Sequence, residues 1–423
     1  MHIRNIKRLA AIMLLLAAAT SLVCCGNTGG APTIASVNLM EGISSKLASS
    51  PAAPSKEGAV RAADFGLRLF KKCADGVNEN VLVSPLSVLS ALSMTANGAK
   101  GEMLAQMERT LGMSRDELNE FYRNYAALLP SGNKYKLDQA NSIWFKSDAG
   151  FAVNGDFLQT NADYFGAEIY KAAFDEGTLK DINNWVKDKT RGMIPAILNE
   201  IPAEVKMYLI NALAFDAEWE ALYYKEAVRP GEFTLEDGTQ RSVEFMYSGE
   251  AEYLKGEGFT GFKKYYKDRK YAFAALLPDE GTTVGELIAS LDPAELMRAL
   301  SEPEYCEVDA AIPKFESSYS DELSEALNAM GMTDVFDPSA ADFGALGSSA
   351  DGNIFISRVL HKTYISVDEK GTKAAAVTAV EMPTECEPAE IRTVHLDRPF
   401  VYMLIDCETN LPFFIGTMTD PAK

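Results

Sequence analysis

One stretch near the C-terminus carries more structural information than any other part of the chain. Residues 368–380 read Asp-Glu-Lys-Gly-Thr-Lys-Ala-Ala-Ala-Val-Thr-Ala-Val. The stretch begins as the end of a strand, breaks at Gly371 and continues with small, uncharged or β-branched residues. Because an alanine-rich run is a poor strand former by propensity, the pattern favours an exposed loop.

Alternate residues of this stretch differ in charge. Side chains along a strand point to opposite faces with a period of two, so Thr372, Ala374 and every second residue after them would share one face. That set carries no charge as far as Thr384, whereas the opposite set holds Lys373 and Glu381. The segment can therefore slide into a sheet and leave its charges in water. We interpret it as a loop built to become a strand.

The bulk composition is that of a soluble globular protein. Of 423 residues, 47% are hydrophobic and 24% are charged, which is ordinary for this class. The formal net charge is −20. This charge argues against nucleic acid as a partner, because phosphate binding needs a basic footprint.

The N-terminus has the pattern of an export signal. A basic start precedes an apolar run that is too short to span a membrane. The run ends at Cys24 and Cys25, which resemble a bacterial lipoprotein cleavage box. Leu22 lies three residues before Cys25, so Cys25 is the predicted lipidation site, with Cys24 as the alternative. We therefore expect residues 1–25 to be a signal peptide, and the mature protein to be secreted and lipid-anchored outside a bacterial cell.

The rest of the chain divides into a linker and one domain. Residues 26–57 are rich in Gly, Ala, Ser and Pro, which predicts a flexible linker. Residues 58–423 show no internal repeat and no second boundary, so we expect a single domain there. Ser84 and Pro85 predict the start of a helix, with Ser as the cap and Pro in the first turn, and the long, mostly apolar run at 205–216 predicts a central strand. The first half of the domain is rich in helical patterns and its second half in strand patterns, which favours an α+β fold with a large mixed sheet.

The sequence does not predict an enzyme. It contains no G-x-S-x-G, no G-x-x-x-x-G-K-[ST] and no H-E-x-x-H motif. Beyond the predicted signal only His361 and His395 remain, so a Ser-His-Asp arrangement has few candidates. The four later cysteines are widely spaced, which argues against a disulfide scaffold or a zinc site. No metal or organic cofactor is implied.

A series of short sequence blocks runs through most of the domain. They are Asn80-Val-Leu-Val-Ser-Pro-Leu-Ser87, Gly98-Ala-Lys-Gly101, Ala140-Asn-Ser-Ile-Trp-Phe145, Ile182-Asn-Asn-Trp-Val-Lys187, Asn211-Ala-Leu-Ala-Phe215, Ile312-Pro-Lys-Phe315, Leu360-His-Lys362 and Arg398-Pro-Phe400. In this order and spacing they resemble a serpin, a member of the serine protease inhibitor superfamily, over residues 58–421. The resemblance implies an α+β fold with three β-sheets, eight or nine helices and an exposed reactive loop.

The resemblance also implies a mechanism of inhibition. A target serine or cysteine protease would attack the loop, form a covalent 1:1 acyl-enzyme, and be carried along as the cut loop inserts into the main sheet. Such insertion is a form of strand addition and releases stored strain. We expect a monomer whose partners are proteases and whose only membrane contact is the lipid anchor. The alternative is a non-inhibitory serpin that serves as a surface binding or structural protein.

The resemblance assigns a hinge at the start of the loop. Lys373 stands where the family usually has Glu, and Val377 stands where it usually has a small residue. Both belong to the outward-facing set, so we expect each to be tolerated. The predicted hinge residues are Gly371, Thr372, Lys373, Ala374, Ala375, Ala376, Val377 and Thr378.

Two further groups match functional positions of the family. The shutter, which lies beneath the main sheet where its strands part, would consist of Ser84, Ser87, Asn211 and His361. A buried His and Asn need hydrogen-bond partners, and small hydroxyls can supply them. Trp219 matches the aromatic residue of the breach, the point where the loop first enters the sheet. The alternatives are a core histidine with satisfied hydrogen bonds and ordinary aromatic packing.

Counting along the loop from Gly371 predicts the reactive bond. The count places it between Glu385 and Cys386, with cleavage elsewhere in residues 382–387 left open. Residues 374–391 contain no Lys or Arg, so a trypsin-like protease has no basic side chain to bind. We expect an elastase-like or subtilisin-like target with a small apolar pocket, or alternatively a glutamate-preferring protease that recognises Glu385.

Overall fold

The computed structural model describes most of the predicted domain and part of the predicted linker. The described residues are 36–47, 51–76, 78–129, 134–147, 151–350, 352–372 and 391–423. The predicted lipidation site at Cys25, hinge residues 373–378 and the predicted reactive bond between Glu385 and Cys386 lie outside them.

Nine α-helices are found among the described residues, and most lie in the first half of the chain. Two of them, α4 and α7, begin with complete capping boxes, Ser114 with Glu117 and Thr283 with Glu286. None of these helices is both long and apolar enough to cross a bilayer. The helices are α1 (Lys56–Ala74), α2 (Pro85–Ala96), α3 (Gly101–Leu111), α4 (Arg115–Ala126), α5 (Gly155–Phe165), α6 (Glu176–Lys189), α7 (Val284–Ser290), α8 (Pro293–Ser301) and α9 (Ser324–Ala329).

The strands of the described residues form three sheets. The main sheet contains β1 (Val37–Asn38), β3 (Tyr135–Lys146), β5 (Glu168–Ala172), β6 (Met207–Glu218), β12 (Phe315–Glu322), β14 (Arg358–Val367) and β15 (Gly371–Thr372). The second contains β2 (Leu82–Val83), β7 (Val228–Thr234), β8 (Gln240–Gly256), β9 (Phe259–Tyr265), β10 (Tyr271–Pro278), β11 (Glu304–Pro313), β16 (Arg392–His395), β17 (Phe400–Asp406) and β18 (Pro412–Met418). The third pairs β4 (Ala152–Val153) with β13 (Gly347–Ser348).

The strand orders confirm the predicted mixed α+β architecture. The main sheet runs β1-β5-β3-β6-β14-β12, with β15 pairing with β6 beside this path. The second runs β16-β11-β8-β9-β10-β17-β18-β2, with β7 pairing with β8. In the main sheet β6 is antiparallel to β3 and parallel to β14.

The central strand β6 has an apolar layer on each of its faces. Leu213 and Phe215 belong to the large core that also contains α2. Tyr208 and Ile210 point the other way and pack with Trp185 of α6. A strand covered on both sides reads as a continuous apolar run, which explains why the sequence shows no alternation there.

Residues 36–47 belong to the stretch predicted as a flexible linker, and the structure places them against the domain instead. β1 pairs antiparallel with the edge strand β5, with Val37 opposite Lys171. The backbone N–H and Oγ of Ser36 donate to Asp181 Oδ2 at 2.9 and 2.8 Å. Composition failed to predict this docking because it does not report the backbone hydrogen bonds that an open sheet edge offers.

Candidate functional site

Strands β6 and β14 are neighbours in the main sheet, and we call the boundary between them the seam. They are hydrogen-bonded to each other along only part of this boundary. The two strands pair over seven residue pairs, which end at Tyr364 opposite Ala214. Beyond this point β6 pairs with β15 instead, with Gly371 opposite Glu218. The first two predicted hinge residues, Gly371 and Thr372, therefore already form a short strand antiparallel to β6 at the open end of the seam.

Gly371 occupies a position that only glycine fits. Its φ of +144° is outside the range that residues with a side chain commonly adopt. A Cβ at this position would lie 2.0 Å from the carbonyl oxygen of Ala217 and 2.8 Å from the Cα of Glu218. Glycine interrupts the sequence pattern at position 371 because the backbone of this residue packs closely against the backbone of β6.

Trp219, the predicted breach aromatic, lies beside the short strand β15. Its ring stacks on Tyr266, with 4.3 Å between ring centroids and 11° between planes. Its Nε1 donates to the carbonyl of Asp368 at 2.8 Å, and its backbone N–H donates to that of Lys370 at 3.1 Å. The hydroxyl of Tyr266 lies 2.8 Å from Oγ1 of Thr372. Two stacked rings therefore hold the turn that leads into β15.

An ion pair at the open end of the seam was not predicted. Nζ of Lys314 lies 2.8 Å from Oε2 of Glu369 and 3.1 Å from Oε2 of Glu244. The hydrogen bond from Lys314 lowers the pKa of the Glu369 carboxyl. Lys314 belongs to a sequence block that carried the family resemblance, but strand periodicity does not show which acid it meets.

A second charged pair lies under Trp219. Nζ of Lys264 is 2.7 Å from Oε1 of Glu250, and the Lys264 side chain is almost fully buried. The same ammonium lies 5.5 Å from the ring centroid of Trp219 and 4.4 Å from that of Tyr223. A buried ammonium needs such a counter-charge. The pair of Lys264 with Glu250 therefore holds the Lys264 ammonium against the ring of Trp219.

The four predicted shutter residues come together beneath the closed part of the seam. The backbone N–H of Ser84 donates to His361 Nε2 at 3.0 Å, and His361 Nδ1 lies 2.6 Å from Asn211 Oδ1. Since Nε2 accepts, the neutral ring carries its proton on Nδ1 and donates it to Asn211. Asn211 Nδ2 then donates to Asn141 Oδ1 at 2.7 Å, and Ser87 Oγ donates to the same oxygen at 3.1 Å. We call this chain of hydrogen bonds the relay.

His361 is held in its neutral form. The side chain is fully buried, and burial lowers the pKa of His361 to about 3. A second ring proton would require Nε2 to give up the hydrogen bond from Ser84. The bond from His361 on β14 to Asn211 on β6 crosses the seam, so separating the two strands breaks it.

The structure corrects the expected role of Ser84. We predicted that small hydroxyls supply the partners of the buried His and Asn, but the partner of His361 is the backbone N–H of Ser84. Ser84 precedes Pro85 at the start of α2 in an extended conformation, and its side chain makes no capping bond. Its Oγ is buried and meets no hydrogen-bond partner among the described residues.

Asn141 is a member of the relay that the sequence did not single out. It lies on β3 directly opposite Asn211 of β6. It was present in one of the quoted blocks, but its place opposite another asparagine depends on strand register. A pattern of single residues does not predict that register.

A mixed α+β domain whose main sheet is open at one end, and whose hinge strand already occupies that opening, has the architecture of a serpin. The family model described as serpin (serine protease inhibitor) matches residues 61–421, and the chain therefore belongs to the serpin family. Serpins are protease inhibitors rather than enzymes, which agrees with the missing catalytic motifs.

Sequence and structure comparisons agree with this assignment. Human Serpin B8 is 31% identical over 374 residues, which covers 84% of this chain and 97% of that protein. The crystal structure of tengpin, a thermophilic serpin, in its native state has a TM-score of 0.87 and 48% identity, and covers 91% of this chain and 99% of tengpin. The latent state of tengpin has a TM-score of 0.78 and 46% identity, and covers 88% and 100%. The structure of this chain is therefore more similar to the native state of tengpin than to its latent state.

Proposed function

We propose that the protein traps serine proteases covalently when they cleave its reactive loop, and that the cut loop then inserts between β6 and β14. The observation that supports this proposal is β15. Gly371 and Thr372 already pair with β6 at the open end of the seam, in the antiparallel sense that a longer inserted strand would keep. Insertion would extend a pairing that the uncut protein has begun.

The register of β15 indicates how a longer strand would be oriented. Thr372 lies opposite Ala217, whose side chain faces the large core. Every second residue after Thr372 would face the same way, and all of them as far as Thr384 are uncharged. Lys373 and Glu381 would fall on the other face, with Lys373 opposite the partly exposed Asp216. Insertion in this register would bury no charge against the core.

The closed part of the seam would be the barrier to this insertion. A strand that advances past Ala214 must separate β6 from β14, and it must break the hydrogen bond between His361 and Asn211. The inserted strand would replace the lost backbone bonds with bonds on both of its sides. Insertion would therefore replace the pairing of β6 with β14 by two pairings, one on each side of the inserted strand. It would also break the hydrogen bond between His361 and Asn211.

The loop sequence supports an elastase-like or subtilisin-like target, with a glutamate-preferring protease as the alternative. We propose cleavage between Glu385 and Cys386, within the wider range 382–387. Incubation with subtilisin, an elastase and a glutamate-specific endopeptidase should give an SDS-resistant 1:1 complex with at least one of them. Mass spectrometry of the released C-terminal peptide locates the bond. A peptide that starts at Thr393, after Arg392, would overturn the exclusion of trypsin-like targets.

A charge swap tests the insertion mechanism with a matched control. The double variant K373A/A374K keeps the composition and moves the ammonium to the face that would lie opposite Phe215. Because burying an unpaired charge costs several kcal/mol, we expect this variant to be cleaved without forming a complex. The single variant K373A should still form the complex. Cleavage without complex in the unaltered protein, with no gain in melting temperature, would instead support a non-inhibitory serpin.

We also propose that the mature protein is secreted and held outside a bacterial cell by acyl chains on Cys25. The basic start, the short apolar run and the cysteine pair support this location. Metabolic labelling with a palmitate analogue should be lost in C25A and kept in C24A. Labelling that is kept in C25A and lost in C24A would move the anchor by one residue.

A further inference from the structure

The hinge strand β15 begins directly after a tight turn. Asp368 and Gly371 form an antiparallel bridge across this turn, and each donates its backbone N–H to the carbonyl of the other, at 2.9 and 3.3 Å. The bridge connects the end of β14 to β15, with Glu369 and Lys370 as the two residues between. A turn of this kind fixes the register of the strands that it joins. It is therefore the fixed point from which the pairing of an inserted loop would grow.

Two residues of one segment hold this turn through three hydrogen bonds. The backbone N–H of Trp219 donates to the carbonyl of Lys370 at 3.1 Å, and its Nε1 donates to that of Asp368 at 2.8 Å. The backbone N–H of Tyr223 donates to the carbonyl of Glu369 at 3.2 Å. Three consecutive carbonyls of the turn are thus bonded to one segment. The position of the turn therefore follows the positions of these two residues.

One buried ammonium contacts the rings of both residues. Nζ of Lys264 lies 4.4 Å from the ring centroid of Tyr223 and 5.5 Å from that of Trp219, which is within the range of cation–π attraction. Its counter-charge is Oε1 of Glu250, at 2.7 Å. Oγ of Ser248 lies 2.7 Å from the same carboxylate oxygen and 3.4 Å from the hydroxyl of Tyr223. The charged pair thus lies against both of the residues that hold the turn.

Stability does not explain why a charged pair is present at this position. The side chains of Lys264 and Glu250 are 3% and 12% exposed, so both groups have lost most of their hydration. Burying two ions is costly, and apolar side chains of similar size are often at least as stable. Cation–π attraction, however, depends on where the ammonium lies relative to the face of the ring. A buried cation therefore fixes the rings of Trp219 and Tyr223 more specifically than an apolar side chain would.

We propose that Lys264 is a positioning residue of the hinge, and that it raises the share of cleaved molecules that trap the protease. The ammonium holds Trp219 and Tyr223, and these hold the turn in the register in which the cut loop enters the seam. A shift of one residue would turn Lys373 towards the core, which would delay entry. The positioning of the turn stands by itself, whereas the effect on trapping rests on the proposed function.

Delay matters because the acyl-enzyme has two fates. If the loop inserts first, the ester between the loop and the protease serine persists in the trapped complex. If water attacks first, it cleaves this ester, which returns free protease and a loop that ends in a carboxylate. The faster of the two steps decides the outcome. A residue that speeds entry therefore changes the share of protease trapped without changing the rate at which the loop is cut.

A double substitution removes the charge and keeps the size of the side chains. In K264M/E250Q the ammonium is replaced by a thioether side chain of similar length, and the new glutamine can still accept the hydrogen bond from Ser248. Neither ion of the pair is left buried without its partner, which avoids the large destabilisation that a single substitution would cause.

The matched control is K263M/E252Q. Lys263 and Glu252 also form a buried pair between β9 and β8, with charged groups 3.4 Å apart and side chains 6% and 8% exposed. Lys263 precedes Lys264 on β9, and successive side chains of a strand point to opposite faces. Its ammonium bonds to Asn410, at 3.2 Å. The control therefore loses a pair of the same kind and burial, on the face of β9 that points away from Trp219.

Hydrogen exchange of the full chain tests the positioning without a protease. Exchange of the Trp219 and Tyr223 amides is measured by mass spectrometry in the unaltered protein and in both double variants. We expect it to be about tenfold faster in K264M/E250Q, because a desolvated cation–π contact is strong enough to shift a local equilibrium by about one order of magnitude. The control should match the unaltered protein. An unchanged rate in K264M/E250Q, or an equal acceleration in the control, would overturn the proposal.

The effect on trapping has its own measurement. The number of inhibitor molecules consumed for each protease molecule trapped is titrated for the three proteins, together with the rate of loop cleavage. We expect this number to rise by up to about tenfold in K264M/E250Q, at an unchanged rate of cleavage, and to stay constant in K263M/E252Q. No rise, or an equal rise in both variants, would overturn the role of Lys264 in trapping. If the unaltered protein is cleaved without trapping any protease, the proposed function fails, while hydrogen exchange still decides the positioning.

Discussion

The two ends of the seam differ in what holds β6 beside β14. At the closed end the strands bond directly to each other, and the relay through His361 and Asn211 lies beneath them. At the open end a two-residue strand occupies the gap, with Trp219 beside it and Gly371 in close contact with β6. The closed end depends on buried polar groups with fixed directions. The open end depends on small residues and stacked rings, so the two ends of the seam are held by different kinds of contact.

The largest effect is expected from G371A. The added Cβ would lie 2.0 Å from the carbonyl of Ala217, and the positive φ adds strain of about 1–3 kcal/mol. The variant should lose the pairing of β15 with β6, and its yield of SDS-resistant complex with a cleaving protease should fall at least about tenfold, as 1.4 kcal/mol corresponds to tenfold in an equilibrium.

The matched control for this variant is G352A. Gly352 also has a positive φ, +102°, but nothing lies within 4 Å of its added Cβ. It bears the backbone strain without the steric contact. If G352A lost complex formation as completely as G371A, the close approach at the open end would not be the cause.

A substitution at the closed end should have the next largest effect. H361A leaves the Ser84 N–H and the Asn211 Oδ1 without partners, at about 1–3 kcal/mol for each group. Urea unfolding should show this loss of free energy, and spontaneous loop insertion or polymerisation on warming should become faster. H395A is the control, since His395 is partly exposed and contacts Asp309 at 3.1 Å. Equal behaviour of the two variants would show that the relay does not hold the seam closed.

The closed end should also be sensitive to acid. In the folded protein the pKa of His361 is lowered to about 3, and in an unfolded chain it is about 6.5. The unfolded state therefore binds more protons between these values. The stability that neutral His361 provides is fully present above about pH 6.5 and is lost as the pH falls towards 3, by up to about 1.4 kcal/mol per pH unit. Urea unfolding from pH 7 to 4 should show a steeper loss in the unaltered protein than in H361N; parallel curves would contradict the assignment.

The smallest effect is expected from E369Q at the open end. The side chains of Lys314 and Glu369 are 26% and 36% exposed, and pairs of this kind contribute below about 1 kcal/mol. The pKa of Glu369 is lowered by its bond to Lys314, so this contribution is present above the unfolded pKa and is lost as the pH falls. E220Q is the control, because Glu220 pairs with the exposed Arg269. A loss of several kcal/mol in E369Q alone would mean that the ion pair, and not the stacked rings, holds the open end.

The sequence predicted the elements that border the seam because they depend on local patterns. The apolar run at 205–216 predicted a central strand, which the structure shows as β6 at Met207–Glu218. Ser84 and Pro85 predicted the start of α2, which begins at Pro85. Gly371 predicted a break, and the structure explains it by the contact with Ala217.

The contacts that were missed depend on register and on backbone groups. Asn141 joins the relay only because it lies opposite Asn211. Lys314 meets Glu369 only because two sheets bring their strand ends together. The bond from Ser84 to His361 is made by a backbone N–H, so side-chain patterns do not predict it. The pairing of β1 with β5 is also made by backbone groups, so composition does not predict it. A one-residue shift in pairing would change each of these partners.

If the proposed insertion is right, strand β16 limits how readily the loop can enter the main sheet before it is cut. It holds the far end of the loop by four residue pairs with β11, and β11 leads to Lys314 at the open end of the seam. To insert uncut, the loop would have to enter between β6 and β14 and then return to β16, so each inserted residue would require a further residue for the return path. Cleavage abolishes the return path. The rate at which the uncut protein leaves its native state should therefore depend on whether the four residue pairs between β16 and β11 separate.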